Sequence, residues 1–264
     1  MLHRKDMNTE GNLKKVAEIK LEFMQTAASD IPALLDKYQD DERSGVKTIC
    51  VQYRKRLQAL EMEQQRLDAM KQFELQYKDY EYICGIDEVG RGPFAGPVIA
   101  CAIILPKDCN ILYINDSKQL TEKKREELYD EIISQAISFG IGSIPPKKID
   151  EINILQATYE AMRQAIGNLS VKPDLILNDA VTIPGVDIKQ VPVIKGDSKS
   201  LSIAAASIVA KVTRDRLMVA YDQIFPDYDF ASNKGYGSAK HIEALKRLGP
   251  SPIHRRSFLK KILS

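Results

Sequence analysis

Two adjacent carboxylates, Asp87 and Glu88, stand at the end of an apolar run in YICGIDEVGRGPFAGPVIAC and are followed at once by Gly90 and Gly92. Neighbouring side chains on a strand point to opposite faces, so the pair converges only if the strand ends there or its backbone bends. The glycines supply that freedom and let another backbone approach closely. Two further acidic residues occupy similar places: Asp179 follows DLILN, and Asp197 lies in VIKGDSKS between Lys195 and Lys199. Any one of these is an ordinary turn or cap residue. Several strand or loop ends that each present a carboxylate point instead to a shared site, because such ends build the sites of α/β sheets. Four carboxylates in one pocket cannot all ionise unaided, so they call for divalent cations, and an oxygen-only ligand set favours Mg²⁺ or Mn²⁺ over zinc. Gly90, Gly92 and Ala95 also fit a dinucleotide fingerprint, but Pro93 and Pro97 would fall inside the helix that must follow, and the carboxylates would repel a pyrophosphate.

The elements that must hold these residues fall into two parts. Only Gly11, Gly45 and Pro32 among the turn-forming residues precede Tyr80. Ile31 to about Tyr77 reads as helix, with Val46, Ile49, Cys50, Tyr53, Leu57 and Leu60 at three- and four-residue steps. Ser29 or Asp30 before Pro32 suits its start. Leu13 to Ala28 reads as a shorter helix, although Ile19, Leu21 and Phe23 alternate as a strand would. We therefore expect a helical extension over residues 1–78 and a catalytic domain over 79–264, with deletion to about Tyr77 leaving a soluble core. In that second part, strands are expected at Tyr82–Ile86, Pro97–Leu105, Ile137–Ile144 and Asp174–Leu177. Helices are expected from Leu120 (capped by Thr121), over Lys147–Asn168 and over Ser200–Ile224. Small residues in SIAAASIVA let the last of these pack closely on a sheet. The pattern is that of an α/β protein, a mixed sheet flanked by helices.

Composition bounds the chemistry. Of 264 residues, 44% are hydrophobic, and 38 Lys and Arg face 36 Asp and Glu, so nucleic-acid affinity must be local. It is found near the C-terminus, where Lys234, Lys240, Lys246, Arg247, Arg255, Arg256, Lys260 and Lys261 accompany one acidic residue, Glu243. Lys118, Lys195 and Lys199 add phosphate-binding candidates beside the acidic residues. Cys50, Cys84, Cys101 and Cys109 form no CxxC pair, and His3, His241 and His254 are scattered, which excludes a zinc ribbon and suits reduced core thiols. No apolar run is long enough for a membrane span or a signal-peptide core, so a cytoplasmic protein without membrane contact is expected.

GIDEVGRGPFAGPV, DSKQLTEKKRE, LNDA, KGDSKSLSIAAASIVAKVTRDR and NKGYGSAKH together resemble bacterial ribonuclease HII from about Tyr80 to Phe258. The resemblance implies a ribonuclease H-like fold and a metal-dependent endonuclease. Its substrates would be RNA·DNA hybrids and single ribonucleotides in duplex DNA, cut on their 5′ side to leave 3′-hydroxyl and 5′-phosphate ends. It implies that Asp87, Glu88 and Asp179 are catalytic metal ligands with Asp197 completing the set, using Mn²⁺ or Mg²⁺ in a two-metal mechanism. It further implies that Gly90, Arg91, Gly92 and Tyr236 recognise the ribonucleotide and its junction with DNA; the enzyme is expected to be monomeric, with Lys118 and Lys199 placed on phosphates by their loops beside the acids. Ribonuclease HIII resembles GTG where this chain has Gly90, Arg91 and Gly92, and it carries a sheet-rich platform rather than helices. A hybrid-binding protein without catalysis would lack carboxylates, and a resolvase or type 1 ribonuclease H would lack the Gly-Arg-Gly segment. Asn178 stands where an apolar residue is expected to close the strand before Asp179, and is read as a neutral variation.

Overall fold

The computed structural model describes residues 14–263, so His3 and the expected helix start at Leu13 lie outside the described residues. The chain divides into two compact units, Met1–Gln65 and Arg66–Ser264. The helices α1 (Val16–Gln25), α2 (Ile31–Lys37) and the long α3 (Ser44–Met70) open the chain. In the first unit Ile19, Phe23, Leu34, Leu35, Val46, Ile49 and Cys50 form a small core. The segment expected as one helix from Ile31 to Tyr77 is broken between Lys37 and Ser44. There the Asp41 carboxylate accepts both the Arg43 N–H at 3.0 Å and the Arg43 guanidinium, a local turn that competes with helix. Asp30 occupies the N-cap of α2 but makes no capping hydrogen bond, so Pro32 alone marks that start. Lys14, Lys37 and the Tyr38 hydroxyl converge on Glu22 and pull its carboxyl down to about 2.

The second unit continues with α4 (Gln72–Gln76), β1 (Ile83–Val89), β2 (Val98–Ile104), α5 (Glu122–Gln135), β3 (Ser138–Ile144), α6 (Pro146–Gly167), β4 (Leu175–Asp179), β5 (Lys189–Val193), α7 (Leu201–Ile224), α8 (Phe230–Asn233) and α9 (Ala239–Leu248). Its five strands run in the order β3-β2-β1-β4-β5, antiparallel on the β3 side and parallel from β1 to β5. Thr121 caps α5 and Ser200 caps α7, each accepting a backbone N–H of the first turn. The sheet is covered on both faces. Cys101, Ile103, Leu128, Ile132 and the α7 residues Ala204, Ala205, Ala206 and Ala210 fill one side; Cys84, Ile86, Ala100, Ala102, Ala157, Ala161 and Ile176 fill the other. Close packing of α7 on β1 needs Gly85, where a Cβ would sit 2.1 Å from the Ser202 carbonyl carbon. All four cysteines are free and buried.

Three elements escape the sequence pattern, the four-residue α8 among them. The strand β5 (KQVPV) is half-exposed and carries Pro192, which suits its place at the sheet edge. The helix α9 buries His241, Ala244 and Leu245 within a segment that composition alone paints as a basic tail. The boundary at 78/79, drawn from composition, also differs from the packing boundary at 65/66. Leu67 and Met70 join the core around Cys101 and Ile103, while Glu74 Oε1 accepts the Ser200 and Ser202 hydroxyls at 2.6 and 2.7 Å and the Ser202 N–H at 3.0 Å. Residues 66–78 are thus built into the sheet-bearing unit although their composition matches the preceding helices.

Candidate active site

The strand β1 does not end before its carboxylates: pairing with β2 continues through Asp87, Glu88 and Val89. The pleat therefore separates them. Asp87 shares with Gly85 the face that α7 covers, where it bonds the Ser207 hydroxyl, and Glu88 points to the opposite face, forming an ion pair with Arg91 at 3.2 Å. Asp179 comes alongside Asp87 because Ile86 and Asn178 are partners in the parallel pair β1/β4, so the next residue of each strand lies on the α7 face. Asp179 Oδ1 accepts the Gly196 N–H at 2.7 Å, which tethers the short 3₁₀ turn Gly196–Ser198 and brings Asp197 to the same end of the sheet. Lys118 reaches Asp197 at 3.4 Å and Asp116 at 3.8 Å. Asn178 is fully buried and is not a neutral substitution: its Nδ2 donates to the Val181 carbonyl at 3.0 Å and to Gln190 Oε1 at 2.7 Å, clamping the loop that leaves β4.

These carboxylates destabilise one another. Burial raises the Asp87 carboxyl well above its ordinary range, and the charges of Glu88 and Asp179 push it further. Glu88 is raised by burial and by Asp179, against the pull of Arg91. Asp197 is raised by burial, then by Asp116 and Asp179, with Lys118 opposing. Among the described residues, no three His, Cys, Asp or Glu groups are closed around a common point. The donor set is nevertheless all oxygen, nearly buried and mutually repelling, which fits hard divalent cations. Lysine contact alone leaves the Asp87 side of the cluster uncompensated.

Beside the acids lies a second set. Gly90 has φ +86°, and a Cβ there would lie 2.3 Å from Arg214 Nε, so this turn requires glycine. A Cβ on Gly92 would lie 3.8 Å from the Tyr236 ring, which brings the Gly-Arg-Gly turn and the KGYGS segment together across the sequence. Tyr236 is half-exposed, as are Arg91 and the Lys118 side chain in greater measure; Lys199 is exposed on the loop before α7. Arg255, counted above among basic residues of the C-terminal segment, is instead fully buried, and each of its hydrogen bonds goes to a backbone carbonyl. Lys234 is partly buried.

Sequence pattern did not single out Ser207 or Ser117, whose hydroxyls lie 2.9 Å apart and link Asp87 to the DSK segment. Ser207 sits in the SIAAASIVA run, where small residues read as packing alone. Nor did it single out a buried imidazole pair. His254 Nδ1 accepts the Ser251 N–H at 2.9 Å, so its Nε2 carries the proton and donates to His241 Nε2 at 2.9 Å. His241 Nδ1 then donates to the Tyr236 carbonyl at 2.8 Å. Burial lowers both imidazoles, His254 to about 4 with help from the neighbouring His241.

Comparison with known proteins matches this arrangement. The Ribonuclease HII family profile covers residues 84–261, and the profile of the Ribonuclease HII N-terminal domain covers 15–78. Ribonuclease HII of Lachnoclostridium phytofermentans is 66% identical over 250 residues, spanning 95% of this chain and 98% of that one. Ribonuclease HII of Clostridioides difficile is 48% identical over 252 residues, spanning 95% and 99%. Among solved structures, ribonuclease H2 of Pyrococcus horikoshii OT3 matches with TM-score 0.58 at 31% identity, over 69% of this chain and 97% of that one. The RNase HII in a PCNA complex from Archaeoglobus fulgidus matches with TM-score 0.57 at 25% identity, over 69% and 97%. The Mn²⁺ complex of Bst-RNase HIII, 17% identical with TM-score 0.53 over 69% of each chain, shares the fold. With a family profile over most of the chain and full-length relatives at this identity, the chain is an endoribonuclease of the ribonuclease HII family.

Proposed function

We propose that this ribonuclease hydrolyses the RNA strand of RNA·DNA hybrids and cuts on the 5′ side of single ribonucleotides in duplex DNA, leaving 3′-hydroxyl and 5′-phosphate ends. The observation that carries this reading is the buried, mutually repelling carboxylate set of Asp87, Glu88, Asp179 and Asp197, lying beside the Gly90–Gly92 turn and the Tyr236 ring. Asp87 and Asp179 would hold divalent cations from adjacent strand ends, with Glu88 and Asp197 completing coordination or orienting water. Such ions supply an activated water and offset charge on the scissile phosphate and leaving oxygen. Lys118 steadies Asp197 and, with Lys199, presents positive charge to the phosphate backbone. Selectivity rests on sensing the 2′-hydroxyl, which separates RNA from DNA locally. The backbone of the Gly-Arg-Gly turn reaches that group without a side chain intervening, while the exposed Tyr236 ring packs on the neighbouring deoxyribose. The protein acts as a cytoplasmic monomer in this reading; no helix among the described residues is long and apolar enough to cross a membrane.

The test is cleavage of end-labelled duplex DNA containing one ribonucleotide, with Mg²⁺, Mn²⁺ or chelator. A metal-dependent cut at the phosphate 5′ of the ribonucleotide is expected. Cutting on its 3′ side, or cutting that persists in chelator, would overturn the reading.

A further inference from the structure

Arg214 and Arg255 are both fully buried, and among the described residues neither forms an ion pair with a carboxylate. Each of their hydrogen bonds goes to a backbone carbonyl. Arg255 Nε and Nη2 bond the Gly96 carbonyl at 2.9 and 2.8 Å, Nη2 bonds Gly90 at 2.6 Å, and Nη1 bonds Arg91 at 2.9 Å. Arg214 bonds Pro97 at 3.0 Å, Ala95 at 2.9 Å and Lys234 at 2.8 Å. Two guanidinium groups thus collect carbonyls from the Gly90–Pro97 turn and from the segment leading to Tyr236. The arrangement is costly, since burial lowers both groups, and their mutual repulsion helps bring Arg255 to about 9.

The outlay has a directional result. The described peptide bonds are all trans, and in a trans peptide the C=O of one residue and the N–H of the next point opposite ways. Drawing the Gly90 and Arg91 carbonyls onto the buried Arg255 therefore turns the Arg91 and Gly92 N–H groups away from it, on exposed residues. Neither N–H has an acceptor among the described residues. Resting on the function proposed above, we infer that Arg255 is a specificity-determining positioning residue: it aims the Arg91 and Gly92 N–H groups at the ribose of the substrate, and so sets the preference for a 2′-hydroxyl. Only a planar fork can hold two successive carbonyls together with Gly96; a lysine keeps the charge but reaches them as a single point.

The experiment measures binding rather than cutting, in an Asp87→Asn background of the full chain with Mg²⁺. Affinities are compared for a duplex with one ribonucleotide and for the same duplex in all-DNA form. The parent background is expected to favour the ribonucleotide duplex. Arg255→Lys should reduce that ratio at least fivefold, with all-DNA binding held within twofold because phosphate contacts are untouched. A folded Arg255→Lys protein with the parent's ratio, or one that loses both affinities alike, would overturn the positioning role. A parent without preference would instead overturn the recognition reading on which it rests. Phe258→Leu covers the case in which Arg255→Lys fails to fold: the Phe258 ring lies 5.2 Å from the Arg255 guanidinium. Loosening that stack should lower the ratio two- to threefold, and an unchanged ratio in that variant would count against the role.

Discussion

Two regions of the sheet-bearing unit bury charge without a matching countercharge, and they resolve it in opposite ways. At the ends of β1 and β4 the largely buried acids repel one another, with Ser207, the Glu88 N–H and Lys118 giving only part of what they need. Around Gly90–Pro97 and Tyr236, two guanidinium groups and two imidazoles are equally deep, yet the guanidinium donors end on carbonyls and the imidazoles form a closed relay. The first region is electrostatically unfinished and invites something from outside. The second is finished and serves to fix shape. Depth of burial alone therefore does not mark the chemistry; what marks it is whether the buried group finds its partner within the chain.

The comparison breaks most clearly by substitution. Asp87→Asn or Asp179→Asn should lower kcat by roughly a thousandfold, because a neutral amide holds a cation poorly. For Asp87→Asn, stability in chelator should rise by about 1 kcal/mol as a like charge is removed. Near-parent cleavage in either variant would take that residue out of the ligand set, and a large loss of stability would show that the acids are structural. The reverse behaviour is expected at the other region. Arg214→Met should cost roughly 3 kcal/mol in urea unfolding, since three carbonyls lose their donors. A variant as stable as the parent would mean that water replaces the guanidinium freely.

Acidity sharpens the contrast by a smaller amount. The folded His254 titrates at about 4, below the ordinary 6.5, so the unfolded chain binds more protons between those values. Stability from this group is therefore present above pH 6.5 and is lost as pH falls from about 6.5 to about 4, by up to roughly 3 kcal/mol. The raised Asp87 works with the opposite sign, losing stability as pH climbs from the ordinary carboxylate range through its raised value. Thermal midpoints in chelator across pH 4–7, for the parent and His254→Gln, check the first limb. An unchanged slope in the variant would remove the imidazole pair as its origin.

Much of the sheet was legible because its signals are local. Thr121 and Ser200 announce helices by a cap, and PVIACAIIL is β-branched and uninterrupted. The candidate acids were legible for a similar reason, since a carboxylate directly after an apolar strand breaks the hydrophobic pattern. What stayed hidden depends on partners far along the chain. Nothing local tells that Leu67, Met70 and Glu74 belong with Ser200 and Cys101 rather than with the helices before them. Arg255 looks like any basic residue near a terminus until its carbonyl partners, about 160 positions earlier, are known. Asn178 appeared neutral because its clamp on Gln190 is made only once β5 has paired.

The distance between Arg255 and the turn it holds also has a temporal meaning. Residues 90 and 255 are separated by 165 positions, so at about 5–20 residues per second the ribosome delivers the clamp roughly ten to thirty seconds after the turn. Asp87 and Glu88 are made just before that interval and Asp179 and Asp197 within it, while the Gly90 and Arg91 carbonyls await Arg255. A chain that stopped at residue 254 would carry Asp87, Glu88, Asp179 and Asp197 and no guanidinium to hold the turn.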